Sequence, residues 1–152
     1  MLNQDFSDML SCLRDEEVEF IVIGAYALAA HGFPRATGDI DIWVRNTPEN
    51  ARRIMLALVN FGAPLSNISE DDFRSPDMVV QLGVEPSRID LMTSIDGVEF
   101  DDAWKRRTGL TIDNLEISVL SEEDLIANKL ATGRPQDELD VLSLRSRKIG
   151  GN

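Results

Sequence analysis

The run Gly38-Asp39-Ile40-Asp41-Ile42-Trp43-Val44 constrains this chain more than any other segment. Apolar and acidic residues alternate there, which is the pattern of a β-strand whose two faces meet different surroundings. Ile40 and Ile42 belong to a core. Asp39 and Asp41 then share the other face, where they can reach one cation. Two readings stand beside each other: a turn or polar edge strand, and a carboxylate pair that holds a hard, oxygen-seeking ion such as magnesium.

The surrounding pattern places that strand in a mixed α/β chain. Phe6, Met9, Leu10 and Leu13 recur at helical spacing over residues 3–14. Residues 18–23 read as a β-branched strand ended by Gly24, and 25–31 as a short helix stopped by Gly32 and Pro34. The acidic strand covers 39–44. Thr47 caps a helix that has Pro48 in its first turn and ends at Gly62. Residues 65–77 are a short helix or loop. Strands are predicted over 78–84 and 87–92, joined by a turn at Glu85-Pro86. A helix over 98–107 carries Phe100 and Trp104. Two strands, 110–112 and 115–119, flank an Asp113-Asn114 turn. Ser121, paired with Asp124 in a capping box, opens a helix through Leu130, and a last helix covers 135–147. The fold class is therefore α/β: a mixed sheet flanked by helices, in one domain over 1–152 with a helical tail at about 121–148.

Composition narrows the function. With 152 residues and 43% apolar content the chain can build a sizeable core. One cysteine and one histidine exclude an internal disulfide and a zinc or iron–sulfur cluster built from paired ligands. The N-terminus lacks the pattern of a signal peptide, and no apolar run reaches membrane-spanning length; a cytoplasmic protein is expected. The net charge of −12 argues against tight nonspecific binding of DNA. It leaves room for a nucleotide that arrives with a divalent cation. Arg35, Arg45 and Arg88 lie near the acids in sequence.

Two further features join the acid pair. Asp90 is a lone acid in an apolar strand, and it becomes a third ligand if its strand neighbours that of Asp41. Gly24 ends a strand and opens a helix, a corner where backbone amides approach phosphate oxygens. The chain has no GxxxxGK[ST] and no GxGxxG loop. His31 reads as a helix-end residue, Cys12 as a small apolar one, and Phe100 and Trp104 as helix packing. Trp43 borders the cleft or covers a neighbouring core edge. Lys129 reads as a surface lysine on a helix, while Asp137 and Asp140 pair with basic side chains, Arg134 being the nearest.

This order of parts resembles the DNA polymerase beta-like nucleotidyltransferase superfamily, in particular small bacterial members akin to toxin–antitoxin and abortive-infection nucleotidyltransferases. Gly24-Ala25 stands where that pattern has Gly-Gly or Gly-Ser. Asp39 and Asp41 match its paired acids, and Asp90 its later single acid. Arg35-Ala36-Thr37 before the acids, the stretch from Asp124 to Leu130 and the stretch from Arg134 to Asp140 are similar too, so the likeness spans about residues 18–145. It implies magnesium-dependent transfer of a nucleoside monophosphate from a nucleoside triphosphate to a hydroxyl. Two ions would sit on Asp39, Asp41 and Asp90, with Gly24, Ala25, Arg35 and Lys129 binding the nucleotide. The acceptor is a protein, an RNA or a small molecule, and a homodimer or protein partner would complete the site. Ala25 departs from the pattern, keeping the amide and lacking the hydroxyl. That departure favours the alternative, a noncatalytic binding or antitoxin-like partner with the same fold.

Overall fold

The computed structural model describes residues 2–33, 38–84 and 87–150, with side chains described through residue 146. Helix α1 (Gln4–Asp15) starts where Asn3 Oδ1 accepts a hydrogen bond from the Phe6 amide at 2.8 Å. Its apolar stripe of Phe6, Met9, Leu10 and Leu13 is fully buried. Strand β1 (Phe20–Ile23) leads straight into α2 (Gly24–Ala30), and β2 (Ile40–Val44) follows. Helix α3 (Pro48–Phe61) is capped by Thr47, and the short α4 (Glu70–Arg74) by Ser69, whose amide donates to Asp72 Oδ2 at 2.9 Å.

The remaining elements are β3 (Val79–Leu82), β4 (Ile89–Met92), α5 (Phe100–Arg106), β5 (Thr108–Ile112), β6 (Leu115–Val119), α6 (Glu122–Thr132) and α7 (Pro135–Gly150). The six strands form one mixed sheet in the order β3-β4-β2-β1-β6-β5. β2 runs parallel to β4 and antiparallel to β1, β1 runs parallel to β6, and the outer pairs β3/β4 and β5/β6 are antiparallel. Parallel neighbours need crossovers. The chain between β2 and β4 supplies α3, α4 and β3; that between β1 and β6 supplies α2, β2 and everything through β5.

Local chemistry sets the element ends. Asp113 and Asn114 take positive φ, 50° and 68°, as a tight two-residue hairpin turn requires. Gly133 is left-handed and ends α6, so that α7 folds back against it. Several strands are shorter than the sequence pattern predicts: β1 starts at Phe20, and β2 at Ile40 rather than Asp39. β5 starts earlier than predicted, at Thr108, because α5 stops at Arg106. Ser121 Oγ accepts from the Asp124 amide at 3.1 Å, but the Asp124 carboxylate turns to Arg106, so the predicted reciprocal cap is only half made. The Glu85-Pro86 turn and Pro34 lie outside the described residues.

Within β2, Ile40, Ile42 and Val44 are buried in the core. Trp43, on the side of Asp41, is also buried, edge-on against Phe100 at 5.0 Å between ring centroids. It therefore belongs to the core edge under α5. The β1–β2 register is held from outside the sheet by Asn50, which is 1% exposed. Its Oδ1 accepts from the Glu19 amide at 2.8 Å, and its Nδ2 donates to the Glu19 and Arg45 carbonyls at 3.1 and 2.8 Å. Asn50 thus ties the entry of β1 to the exit of β2. Asn50→Ala takes the partner from the part-buried Glu19 amide and Arg45 carbonyl, while the Glu19 carbonyl keeps the Arg45 amide, and is expected to lower unfolding free energy by about 1–3 kcal/mol, measured by urea denaturation.

Candidate active site

Three carboxylates meet at one end of the central strands, two of them placed by strand register and the third by Arg88. Asp41 lies opposite Ile23 of β1 on one side and opposite Asp90 of β4 on the other. Directly paired residues on adjacent strands put their side chains on the same face. Asp41 and Asp90 accordingly stand side by side, Asp90 buried and Asp41 half-buried. Asp39 precedes β2 and is drawn in by Arg88. Its Oδ1 accepts from the Arg88 amide at 3.2 Å, and its Oδ2 lies 3.3 Å from Arg88 Nη2. The same guanidinium grips Asp90 at both oxygens, Nε to Oδ1 at 2.8 Å and Nη2 to Oδ2 at 3.1 Å.

The cluster is short of positive charge. Burial, then the charge and hydrogen bond of Asp90, then the charge of Asp39 push the Asp41 carboxyl up to about 6, against the opposing pull of Arg88. Gly24 makes room for it. An added Cβ would lie 2.5 Å from Asp41 Oδ2, and φ there is +68°, so both sterics and backbone favour glycine. Ala25 follows in the first turn of α2.

Asp41 also faces a cleft of about 250 Å³ between the sheet and the C-terminal helices. Gly24 and Asp41 line its sheet side, Lys129 and Arg134 its helix side, with Ser94 and Asn128 between. Lys129 is 7% exposed, and its Nζ lies 3.3 Å from Asp137 Oδ1 and 2.9 Å from Asp140 Oδ2. Arg134 also binds Asp137, at 2.7 and 3.1 Å, yet its side chain remains largely exposed. Arg134, Thr132 and Lys129 together hold the Asp137 carboxyl well below the usual carboxylate range. Asp137 and Asp140 thus pair with basic groups as the sequence predicts.

Of the acids in the cluster, Asp41 lines the cleft; Asp90 stands beside it on β4, and Arg88 ties Asp39 to Asp90. Arg35 lies outside the described residues. Arg45 is spent elsewhere, on Glu19 and Asp101. His31 ends α2 and donates from Nε2 to the Leu120 carbonyl at 2.8 Å, a link between α2 and the end of β6. Sequence reasoning gave Arg134, Ser94 and Asn128 no place in a cleft. The one available signal was Gly133, whose left-handed turn brings Arg134 back beside Lys129.

The chain matches the family described as "Nucleotidyltransferase of unknown function (DUF6036)" over residues 1–147, and it belongs to that family. Its fold is similar to that of a candidate nucleotidyltransferase from Thermotoga maritima, with a TM-score of 0.62 at 20% identity, covering 97% of this chain and 96% of that one. It is also similar to the lincosamide antibiotic adenylyltransferase LnuA in its lincomycin-bound form, with a TM-score of 0.58 at 14% identity, covering 96% and 98% of the two chains. No curated protein matches in sequence. The fold is that of the polymerase beta-like nucleotidyltransferases. No helix among the described residues is long and apolar enough to cross a membrane.

The electrostatics of the two clusters have opposite consequences for stability. Asp41 binds its proton more tightly in the folded chain than in the unfolded one, so its contribution to stability falls as pH rises from about 4 through about 6. Asp41→Asn is expected to stabilise the metal-free protein at pH 7.5 by about 1–2 kcal/mol, after allowance for solvent screening, and to have little effect at pH 4; thermal melts at the two pH values read this. Lys129→Ala leaves two buried carboxylates without their shared cation and is expected to destabilise by about 3–5 kcal/mol in chemical denaturation.

Proposed function

We propose that the chain transfers a nucleoside monophosphate from a nucleoside triphosphate to a hydroxyl acceptor, in a magnesium-dependent reaction. The observation that carries this reading is the meeting of Asp39, Asp41 and Asp90 beside Gly24 and a cleft with cations on its far wall. Such a donor set, all oxygen and in charge excess, fits a hard divalent cation. Among the described residues no three His, Cys, Asp or Glu side chains are already gathered around one ion position. In this structure Arg88 supplies the charge compensation.

Asp39, Asp41 and Asp90 would hold the magnesium, two ions by the family resemblance. Bound there, the metal supplies Lewis acidity that offsets phosphate charge and acidifies the acceptor hydroxyl. The chain's own residues do the rest. The amides of Gly24 and Ala25 face the outer phosphates, while Lys129 and Arg134 steady the triphosphate from the helix side. Asp90 is the candidate base for the acceptor proton. The acceptor oxygen bonds to the α-phosphorus as the bond to pyrophosphate breaks, and pyrophosphate leaves. Arg35 before the acids belongs to the same proposal, as do kinship with toxin–antitoxin nucleotidyltransferases and a cytoplasmic setting.

The acceptor is a protein, an RNA or a small molecule. The lincomycin bound to LnuA makes small hydroxyl compounds one pool to try. A second reading, a noncatalytic partner protein, is favoured by Ala25 and by Arg88 lying across Asp39 and Asp90. Incubation with magnesium, α-labelled nucleoside triphosphates and the three acceptor pools separates the two. Transfer predicts labelled product that falls by roughly 10²–10³-fold in Asp39→Ala and Asp41→Ala. Nucleotide binding without product in any pool supports the noncatalytic partner.

A further inference from the structure

We infer that the chain carries a second anion site, a groove that takes phosphate groups, formed by β5, β6, the end of α5 and the last turn of α1. The groove encloses about 540 Å³, and its cations are Arg14, Lys105 and Arg107. In a chain with 27 acids and 15 bases, half of the twelve basic side chains among the described residues pair with an acid. Arg45, Arg74, Arg88, Arg106, Lys129 and Arg134 all do. Arg14, Lys105 and Arg107 are exposed along one groove and none makes an ion pair among the described residues; Lys105 stands near Asp101 of its own helix, a carboxylate that Arg45 already binds. Unpaired positive charge gathered in a concavity of an acidic protein attracts anions by local field, whatever the net charge.

Arg107 is held in place in advance. Its guanidinium carbon lies 3.8 Å above the Trp104 ring, Nε donates to Ser118 Oγ at 3.1 Å, and Nη1 donates to the Trp104 carbonyl at 2.6 Å. A guanidinium fixed by stacking and two hydrogen bonds still has donors left for a phosphate, and little entropy remains to be lost on binding. The sheet face under it is polar and uncrowded. Ser118 and Thr111 bring hydroxyls, and nothing stands within 4 Å of where a Cβ on Gly109 would be. Glu116 is the one carboxylate in the lining. The adjoining hollow adds Glu17 and Glu19, and Glu19 is paired with Arg45.

Phosphate chemistry has two sources, a free phosphate anion and the backbone of an oligonucleotide. This inference does not rest on nucleotidyl transfer, since neither the carboxylates nor the cleft of Asp41 enters it. The test is titration of the full chain with inorganic pyrophosphate and with an RNA hexanucleotide, read by tryptophan fluorescence through the Arg107–Trp104 stack and by calorimetry. A saturable, salt-sensitive change is expected. Lys105→Gln with Arg107→Gln weakens it by roughly tenfold or more. Arg14→Gln, which leaves the Trp104 stack untouched, also weakens it, whereas Arg52→Gln, the same charge change on an exposed site of α3, does not. Equal weakening of both probes assigns a free-anion site; tighter hexanucleotide binding with the steeper salt dependence assigns a nucleic-acid backbone. Absence of binding by both probes, wild-type affinity in the Arg14 and Lys105/Arg107 variants, or equally tight binding of hexaglutamate overturns the inference.

Discussion

The pairing of β2 between β1 and β4 is the constraint on which the site depends. One register places Asp41 opposite Ile23 and Asp90 at once. A slip of a single residue between β2 and β4 would send one carboxylate into the core face. The sheet therefore positions chemistry through backbone hydrogen bonds, and the apolar residues of β2 secure it by burying the other face. Asn50 acts at the far end of the same strands, where it stops β1 and β2 from sliding.

Where a carboxylate is buried among the described residues, its charge is balanced locally. Asp124, 2% exposed, is gripped by Arg106 and so joins α5 to α6. Lys129 joins α6 to α7 through Asp137 and Asp140. Arg88 joins the chain before β2 to β4. Each link is an ion pair with at least one member withdrawn from water, where losing a partner is costly. The carboxylate cluster differs in having three acids against one guanidinium, and the raised proton affinity of Asp41 is the physical record of that imbalance.

Much of the fold was legible from local rules. Helix stripes, the Thr47 and Ser121 caps, the Asp113-Asn114 hairpin and the Gly24 corner each follow from spacing and backbone preference, and all are present. Strand ends are less legible, because alternation continues past the last ladder hydrogen bond: Val18 is buried without belonging to β1, and Asp39 faces Arg88 without belonging to β2. Trp43 shows the same gap at the level of a side chain. Its parity with Asp41 left both a cleft and a core open; Phe100, from an element far along the chain, decides for the core.

The sequence by itself determined the types of element, their order and the acidic pair's common parity, since these depend on neighbours within a few residues. It also marked Gly24 and Asp90 as unusual for their settings. Only the tertiary structure decided that Asp90 stands beside Asp41, that Arg88 and not Arg45 serves the acids, and that Arg134 reaches the same cleft as Gly24. Those facts are set by strand order and by the return of α7 on α6. They join residues some 50 to 110 positions apart, a separation over which local pattern holds no information.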